Sequence, residues 1–325
     1  MNKNIKIFIN YFLGPFLFVL LSWTLYKQII HRPDLPQRWM QIKLSWKNYN
    51  FWLVFFLMFV NWGLEARKWQ LLVAPLEKFS FFKAYKSVLS GCSVTMLTPN
   101  RIGEYGGRIV YVQEHHRLSA IPLTILGSIS QLFVTVIMGT IGLIVFRYSE
   151  TETVLFKLLP PFAANILLYL SIIISILLIL IYMRVRLILR IISKINFLKK
   201  LNKYLQLLNS FNRKQLLRIL FLSFLRYMVF ILQYLLLLKV MQVDIANFAC
   251  FWLLSVFYLV MAIAPTIGFT ELPVRAAASV ELLQLYSTNI IGIQAASLGI
   301  WLINLVIPAI AGSLLIFGIK IMKEK

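Results

Sequence analysis

The sequence predicts an all-α polytopic membrane protein, a single transmembrane domain over residues 1–325 whose two halves repeat one another with inverted topology. Three observations predict it. The chain is 60% hydrophobic with a mean hydropathy of +0.80, more apolar mass than the charged surface of a soluble domain covers. Six apolar runs, 8–29, 51–73, 119–146, 160–183, 216–239 and 290–319, reach the roughly 20 residues that cross a hydrocarbon core. Two further apolar regions, 84–117 and 247–285, are each broken near the middle by the same ordered features: a Pro, a Gly, a Glu, and an Arg four residues after the Glu.

The run 8–29 follows Lys3 and Lys6. It is too long for a signal-peptide core and lacks a small-residue cleavage site, so it is expected to stay as the first helix. Residues 27–48 carry Lys27, Arg32, Arg38, Lys43 and Lys47, with Trp39, Ile42, Trp46 and Tyr49 at helical spacing, which predicts an amphipathic helix lying in the membrane interface. The first break reads Thr98-Pro99-Asn100-Arg101-Ile102-Gly103-Glu104-Tyr105-Gly106-Gly107-Arg108, and the second runs from Ala264-Pro265 through Gly268 and Glu271 to Arg275. Pro removes a backbone donor and Gly permits a sharp turn, so each break ends one helix and starts another. The limb 104–115 is about 18 Å long at helical rise, short of a roughly 30 Å core. Both regions are therefore predicted to be re-entrant hairpins.

Charge gives the topology. The loop 184–215 holds Arg184, Arg186, Arg190, Lys194, Lys199, Lys200, Lys203, Arg213 and Lys214 without an acid, and the positive-inside rule places it in the cytoplasm. The first hairpin then opens to the cytoplasm and the second to the outside. The order is helix, helix, hairpin, helix, over about 1–150 and again over about 151–325. One segment opposes this count, because the basic stretch 27–48 falls outside. Inverted repeats of this kind place a substrate site where the two broken segments meet near the bilayer midplane.

The excess of 33 Lys and Arg over 11 Asp and Glu would suggest nucleic acid in a soluble protein. Here the basic residues lie between apolar runs, where they set topology and meet anionic headgroups, and no nucleic-acid partner is expected. Cys92 and Cys250 sit in apolar runs without a CxxC companion and read as small buried residues. Glu114-His115-His116 reads as a solvated interfacial cluster, so neither a metal nor another cofactor is expected.

Charges at membrane depth cost roughly 2.5–3.5 kcal/mol each, so they pair and serve function. Glu104 and Arg108 are four apart on one helical face, as are Glu271 and Arg275. Arg226 lies about ten residues into its helix, with Ser223, Tyr227, Gln233 and Tyr234 on a shared stripe. Glu65 lies one turn after Asn61, while Arg67 and Lys68 are expected to snorkel to the inner interface. Ser128, Gln131 and Thr135 step along another helix and Asn304 marks the last. The candidate substrate-binding set is Glu65, Arg101, Glu104, Arg108, Arg226, Glu271 and Arg275, with one excess positive charge. Arginine grips phosphate with two parallel hydrogen bonds, which points to an anionic lipid headgroup. Self-neutralised ion pairs that merely pin the hairpins are the alternative.

At these motifs the sequence resembles the flippase-like family named for the lysylphosphatidylglycerol synthase transmembrane region. The matching pieces are Asn61-Trp62 with Glu65-Ala66-Arg67-Lys68-Trp69, then Thr98-Pro99 with Arg101-Ile102-Gly103-Glu104 and Arg108, and Gly268 with Glu271. The second hairpin has one glycine where a pair is expected. The resemblance implies a multi-pass cytoplasmic-membrane protein that moves a phospholipid or polyprenyl-type lipid between leaflets. Aminoacyl transfer belongs to a separate soluble domain in two-domain members. The chain ends six residues past its last predicted helix, so lysyl transfer is not expected and the protein is read as a non-enzyme.

The leading expectation is a translocase for an anionic phospholipid or polyprenyl phosphate. A secondary transporter of a small anionic solute would use the same repeat. A membrane enzyme on a lipid phosphate would want an Asp-rich metal site or a nucleophile beside a base, and the sequence has no Asp-x-Asp and no histidine at depth.

Overall fold

The structure, a computed structural model, describes residues 23, 35–96, 98, 103–148, 161–184, 204–264 and 271–317. The expected first helix at 8–29, apart from Trp23, lies outside them, as do Arg101, Gly268 and most of the basic loop. Every regular element among the described residues is helical. Helix α1 spans Leu35–Leu44, followed by a 3-10 turn at Ser45–Lys47; α2 is Tyr49–Val73, α3 Phe81–Met96, α4 Gly103–Ile109, α5 Arg117–Tyr148 and α6 Pro161–Met183. Then come α7 at Arg213–Val240, α8 at Asn247–Ile263, α9 at Glu271–Leu283, α10 at Ile290–Trp301, a π turn at Leu302–Val306 and α11 at Ile307–Phe317.

Local chemistry marks several boundaries. Asn48 accepts a hydrogen bond from the Asn50 amide at the start of α2. Pro161 opens α6, where its missing N–H would be unsatisfied anyway. Asn212 and Gln215 form a reciprocal capping box at the start of α7. The π turn precedes Pro308, which has no amide to give the carbonyl four residues back.

Four described stretches are long and apolar enough to cross a membrane: Glu114–Tyr148, Asn165–Tyr182, Arg213–Val240 and Ile290–Ile316. The protein is a polytopic membrane protein. Helix α2 has the length, at 25 residues, but its second half carries Asn61, Glu65, Arg67 and Lys68. Trp39 on α1, Trp46 in the turn after it and Tyr49 at the start of α2 are exposed, and Ile42 packs against the core.

Both predicted breaks separate two helices, α3 from α4 and α8 from α9. The limb after the first break is shorter than expected. Helix α4 ends at Ile109, and Glu114-His115-His116 forms a separate 3-10 turn that leads into α5. The Val110-Tyr111-Val112 that follows is β-branched and aromatic, a poor continuation for a helix. The Gln113 amide is also taken by Glu77 Oε2 at 3.1 Å. Glu77 Oε1 meets Lys83 Nζ at 2.8 Å, so one carboxylate after α2 holds both ends of the α3–α4 pair. A similar tie closes α8–α9. Asn289, beyond α9, donates to the carbonyls of Met241 and Gln242 after α7, at 2.9 and 3.0 Å, and caps α10 through the Gly292 amide.

Helices α2 and α7 pack together at the centre, α3 packs on α11, and α8 packs on α5. Small residues allow the approach. A Cβ on Gly107 would overlap the Ser90 carbonyl, one on Gly312 the Leu89 carbonyl, and one on Gly139 the Leu259 side chain.

Candidate functional site

Asn61, Glu65 and Lys68 recur at i, i+4 and i+7 on α2, so they share one face. That face is turned to α4 and α7 and is buried: Glu65 is 2% exposed, Lys68 1% and Asn61 0%. Glu65 is the hub. Its Oε1 accepts from Arg108 Nη2 at 2.8 Å, and its Oε2 from Lys68 Nζ at 2.8 Å and Arg226 Nη1 at 2.9 Å. One carboxylate thus gathers three cations from three helices.

The placement of Lys68 corrects the snorkelling expectation. Arg67 is exposed, but Lys68 points inward, one turn from Glu65, and also reaches the Gly127 carbonyl and Ser223 Oγ at 3.4 Å each. A lysine head stays buried when a carboxylate and polar oxygens replace its water. Arg108 Nη2 also bonds Glu104 Oε1, so the predicted pair on α4 is present but shared with α2. Arg226 Nε donates to Asn61 Oδ1 at 2.7 Å, and Asn61 Nδ2 donates to Asn304 Oδ1 at 3.3 Å. Asn304 lies in the π turn, which brings the last helix into the network.

Aromatic faces complete the hub. Arg108 lies over Trp69 at 5.4 Å, and Arg226 over Trp62 at 5.2 Å and Phe230 at 5.3 Å. Such stacking strengthens where water is excluded. Trp69 Nε1 donates to Ser87 Oγ, which donates to the Arg108 carbonyl, both at 2.9 Å. Among the described residues, Arg108 Nε and Trp62 Nε1 are buried without a hydrogen-bond acceptor.

The second pair is simpler. Arg275 Nη2 meets Glu271 Oε1 at 2.8 Å on α9, and the guanidinium lies 5.7 Å from the Phe257 ring centroid. Ser297 Oγ of α10 points to the Arg275 carbonyl at 3.4 Å, much as Ser87 does to Arg108. Tyr227, Phe230, Tyr234, Phe257 and Tyr258 form a continuous run of ring contacts. Phe230 at one end touches Arg226, and Phe257 at the other touches Arg275.

The predicted residues Glu65, Glu104, Arg108 and Arg226 thus meet in one network, while Glu271 and Arg275 form a separate pair across the aromatic run. Ser128 and Thr135 bond back to their own helix, whereas Gln131 donates to the Ser223 carbonyl at 3.4 Å. Sequence reasoning missed Lys68, Ser87 and the aromatic platforms. The i, i+4, i+7 spacing of Asn61, Glu65 and Lys68 was the available signal for the first of these. Four described cations now face three carboxylates in the two clusters, still one positive charge in excess. No group of three His, Cys, Asp or Glu that could hold a metal occurs among the described residues.

Residues 11–312 match the family model for the lysylphosphatidylglycerol synthase transmembrane region. The chain belongs to this family. No curated protein and no solved structure matches it. The family match takes in every residue of the Glu65 hub and of the Glu271–Arg275 pair.

Proposed function

We propose that the protein is a lipid translocase of the cytoplasmic membrane, carrying an anionic headgroup past the midplane while the tails stay in lipid. The carrying observation is the Glu65 hub. A headgroup loses its water in hydrocarbon without replacement, and the hub offers two guanidiniums, an ammonium and an indole N–H at that depth. A phosphate is also the chemical match for the carboxylate that now occupies the centre. Arg226, 13% exposed in its side chain, is the cation most open to exchange Glu65 for a phosphate.

An inverted repeat, as read from the sequence, supports this proposal. Exchanging the halves pairs α2 with α7, α3 with α8, α4 with α9 and α5 with α10–α11. Under that exchange the α3–α11 contact corresponds to α8–α5, and the Glu77 tie, from the end of α2 to the end of α4, to the Asn289 tie, from the end of α7 to the end of α9. With each hairpin closed at its base, both are read as re-entrant, opening to opposite sides, so one repeat can rock against the other around the buried pairs. Binding and reorientation need no bond to be made or broken, and the protein is read as a transporter rather than an enzyme.

The test is lipid retention. Protein purified from a mixed bilayer should carry phosphatidylglycerol or a polyprenyl phosphate in preference to phosphatidylcholine, and Arg226→Gln should lose that preference while keeping its fold. Equal retention of all lipids by both proteins would overturn the reading, and uptake of a water-soluble anion by liposomes holding the protein would replace it with solute transport.

A further inference from the structure

Helices α5 and α7 leave a groove of about 490 Å³ on their outer side, within the 300–1,000 Å³ range typical of ligand pockets. Phe133 and Val134 form its buried floor, Ile137 and Met138 continue along α5, and Leu220 with Phe224 walls it from α7. The wall is almost wholly apolar. Both helices are of membrane-crossing length, and the rim residues Leu217 and Phe221 are 51% and 58% exposed. The groove therefore opens sideways to hydrocarbon.

The charge at one end of the groove says what fills it. On a helix, residues three and four apart lie on one face a turn apart. Arg213 and Lys214 thus stand one turn before Leu217, and Arg218 one turn before Phe221. All three are exposed, and no carboxylate among the described residues pairs with them. The first turn of α7 has no acid. Arg213 and Lys214, in the first turn, stand against the positive end of the helix dipole, so an anion arriving beside them is favoured. An anion whose apolar chain runs down α7 from these cations meets the groove one turn later.

We propose that the α5–α7 groove binds one hydrocarbon chain of an anionic lipid whose headgroup rests on Arg213, Lys214 and Arg218. The site extends the lipid reading above by naming a place where the lipid docks before entry, yet it stands without translocation. The inner face of α7 carries Ser223 and Arg226 within about four turns of those cations, so a headgroup leaving this dock has a short path to the hub. A diacyl phospholipid and a polyprenyl phosphate share the required chemistry.

The experiment uses full-length protein in liposomes containing phosphatidylglycerol with a diazirine midway along one chain, and peptide mapping of the photoproducts. Label should concentrate on 133–138 and 217–224 over the equally lipid-facing Ile173, Leu177 and Leu180 of α6. Phosphatidylcholine with the same chain should show no such concentration. Filling the groove with Leu220→Trp, or separately Ile137→Trp, should return labelling there to the α6 level. Changing Arg213, Lys214 and Arg218 to Gln should cut the phosphatidylglycerol preference by about fivefold for each cation removed. Unlabelled phosphatidylglycerol or polyprenyl phosphate should compete, and the stronger competitor names the tail. Uniform labelling, enrichment that neither tryptophan alters, or cross-links tying the groove to a second copy or to residues 185–203 would overturn the proposal. Labelling without leaflet exchange would refute translocation and leave the dock standing, and exchange without labelling would do the reverse.

Discussion

Replacing Glu65 with Gln tests the hub at its centre. The carboxylate makes three charged contacts of 2.8, 2.8 and 2.9 Å. At an effective dielectric near 20, each is worth about 4 kcal/mol in gross attraction once the charges are taken at their group centres. Most of that offsets desolvation, and removing one partner of a buried ion pair costs about 3–5 kcal/mol net. Arg108 keeps Glu104 in the variant, whereas Lys68 and Arg226 lose the Glu65 charge, which sets the expectation at the upper end. In a chain of 325 residues that corresponds to a fall in unfolding temperature of about 4–7 °C, read by thermal unfolding in detergent. The double variant Glu65→Gln with Arg226→Gln removes one stranded cation as well and should recover about 1–3 kcal/mol through coupling. A Glu65→Gln protein as stable as the parent, or losses that simply add in the double variant, would refute the account of the hub.

Lys68→Met should be far milder than Glu65→Gln, because a flexible apolar chain replaces a buried ammonium while Glu65 keeps both guanidiniums; a change under about 1.5 kcal/mol is expected in the same assay. Gly107→Ala should destabilise by about 1–3 kcal/mol, since its new methyl meets the Ser90 carbonyl. Gly106→Ala should be neutral or stabilising, since nothing lies within 4 Å of the new atom. With Cys92 and Cys250 replaced, Lys83→Cys and Arg117→Cys should label from the same side of the membrane; labels on opposite sides would make 84–117 a simple span.

Pattern carried the fold further than chemistry carried the site. Long apolar runs between charged loops are direct statements about bilayer crossing, and α5, α6 and α7 fall within three residues of their predicted bounds. The breaks were legible because Pro and Gly act locally. The end of α4 was not, because the Gln113 amide is claimed by Glu77, 36 residues earlier in the chain. At the site, Glu104–Arg108 and Glu271–Arg275 were readable from i, i+4 spacing. The convergence of Lys68, Arg108 and Arg226 on Glu65 was not, since it depends on how α2, α4 and α7 meet. Lys68 is the instructive case. Its neighbour Arg67 is exposed, and one residue of helical phase, about 100°, separates a solvated cation from a buried one.

Leaflet exchange tests the central claim most directly. Liposomes with the purified protein should move a headgroup-labelled phosphatidylglycerol or polyprenyl phosphate to the other leaflet faster than protein-free liposomes. Arg226→Gln and Arg275→Gln should each abolish the excess rate while unfolding as cooperatively as the parent. Exchange no faster than in protein-free liposomes across both lipids, with and without a proton gradient, would contradict it.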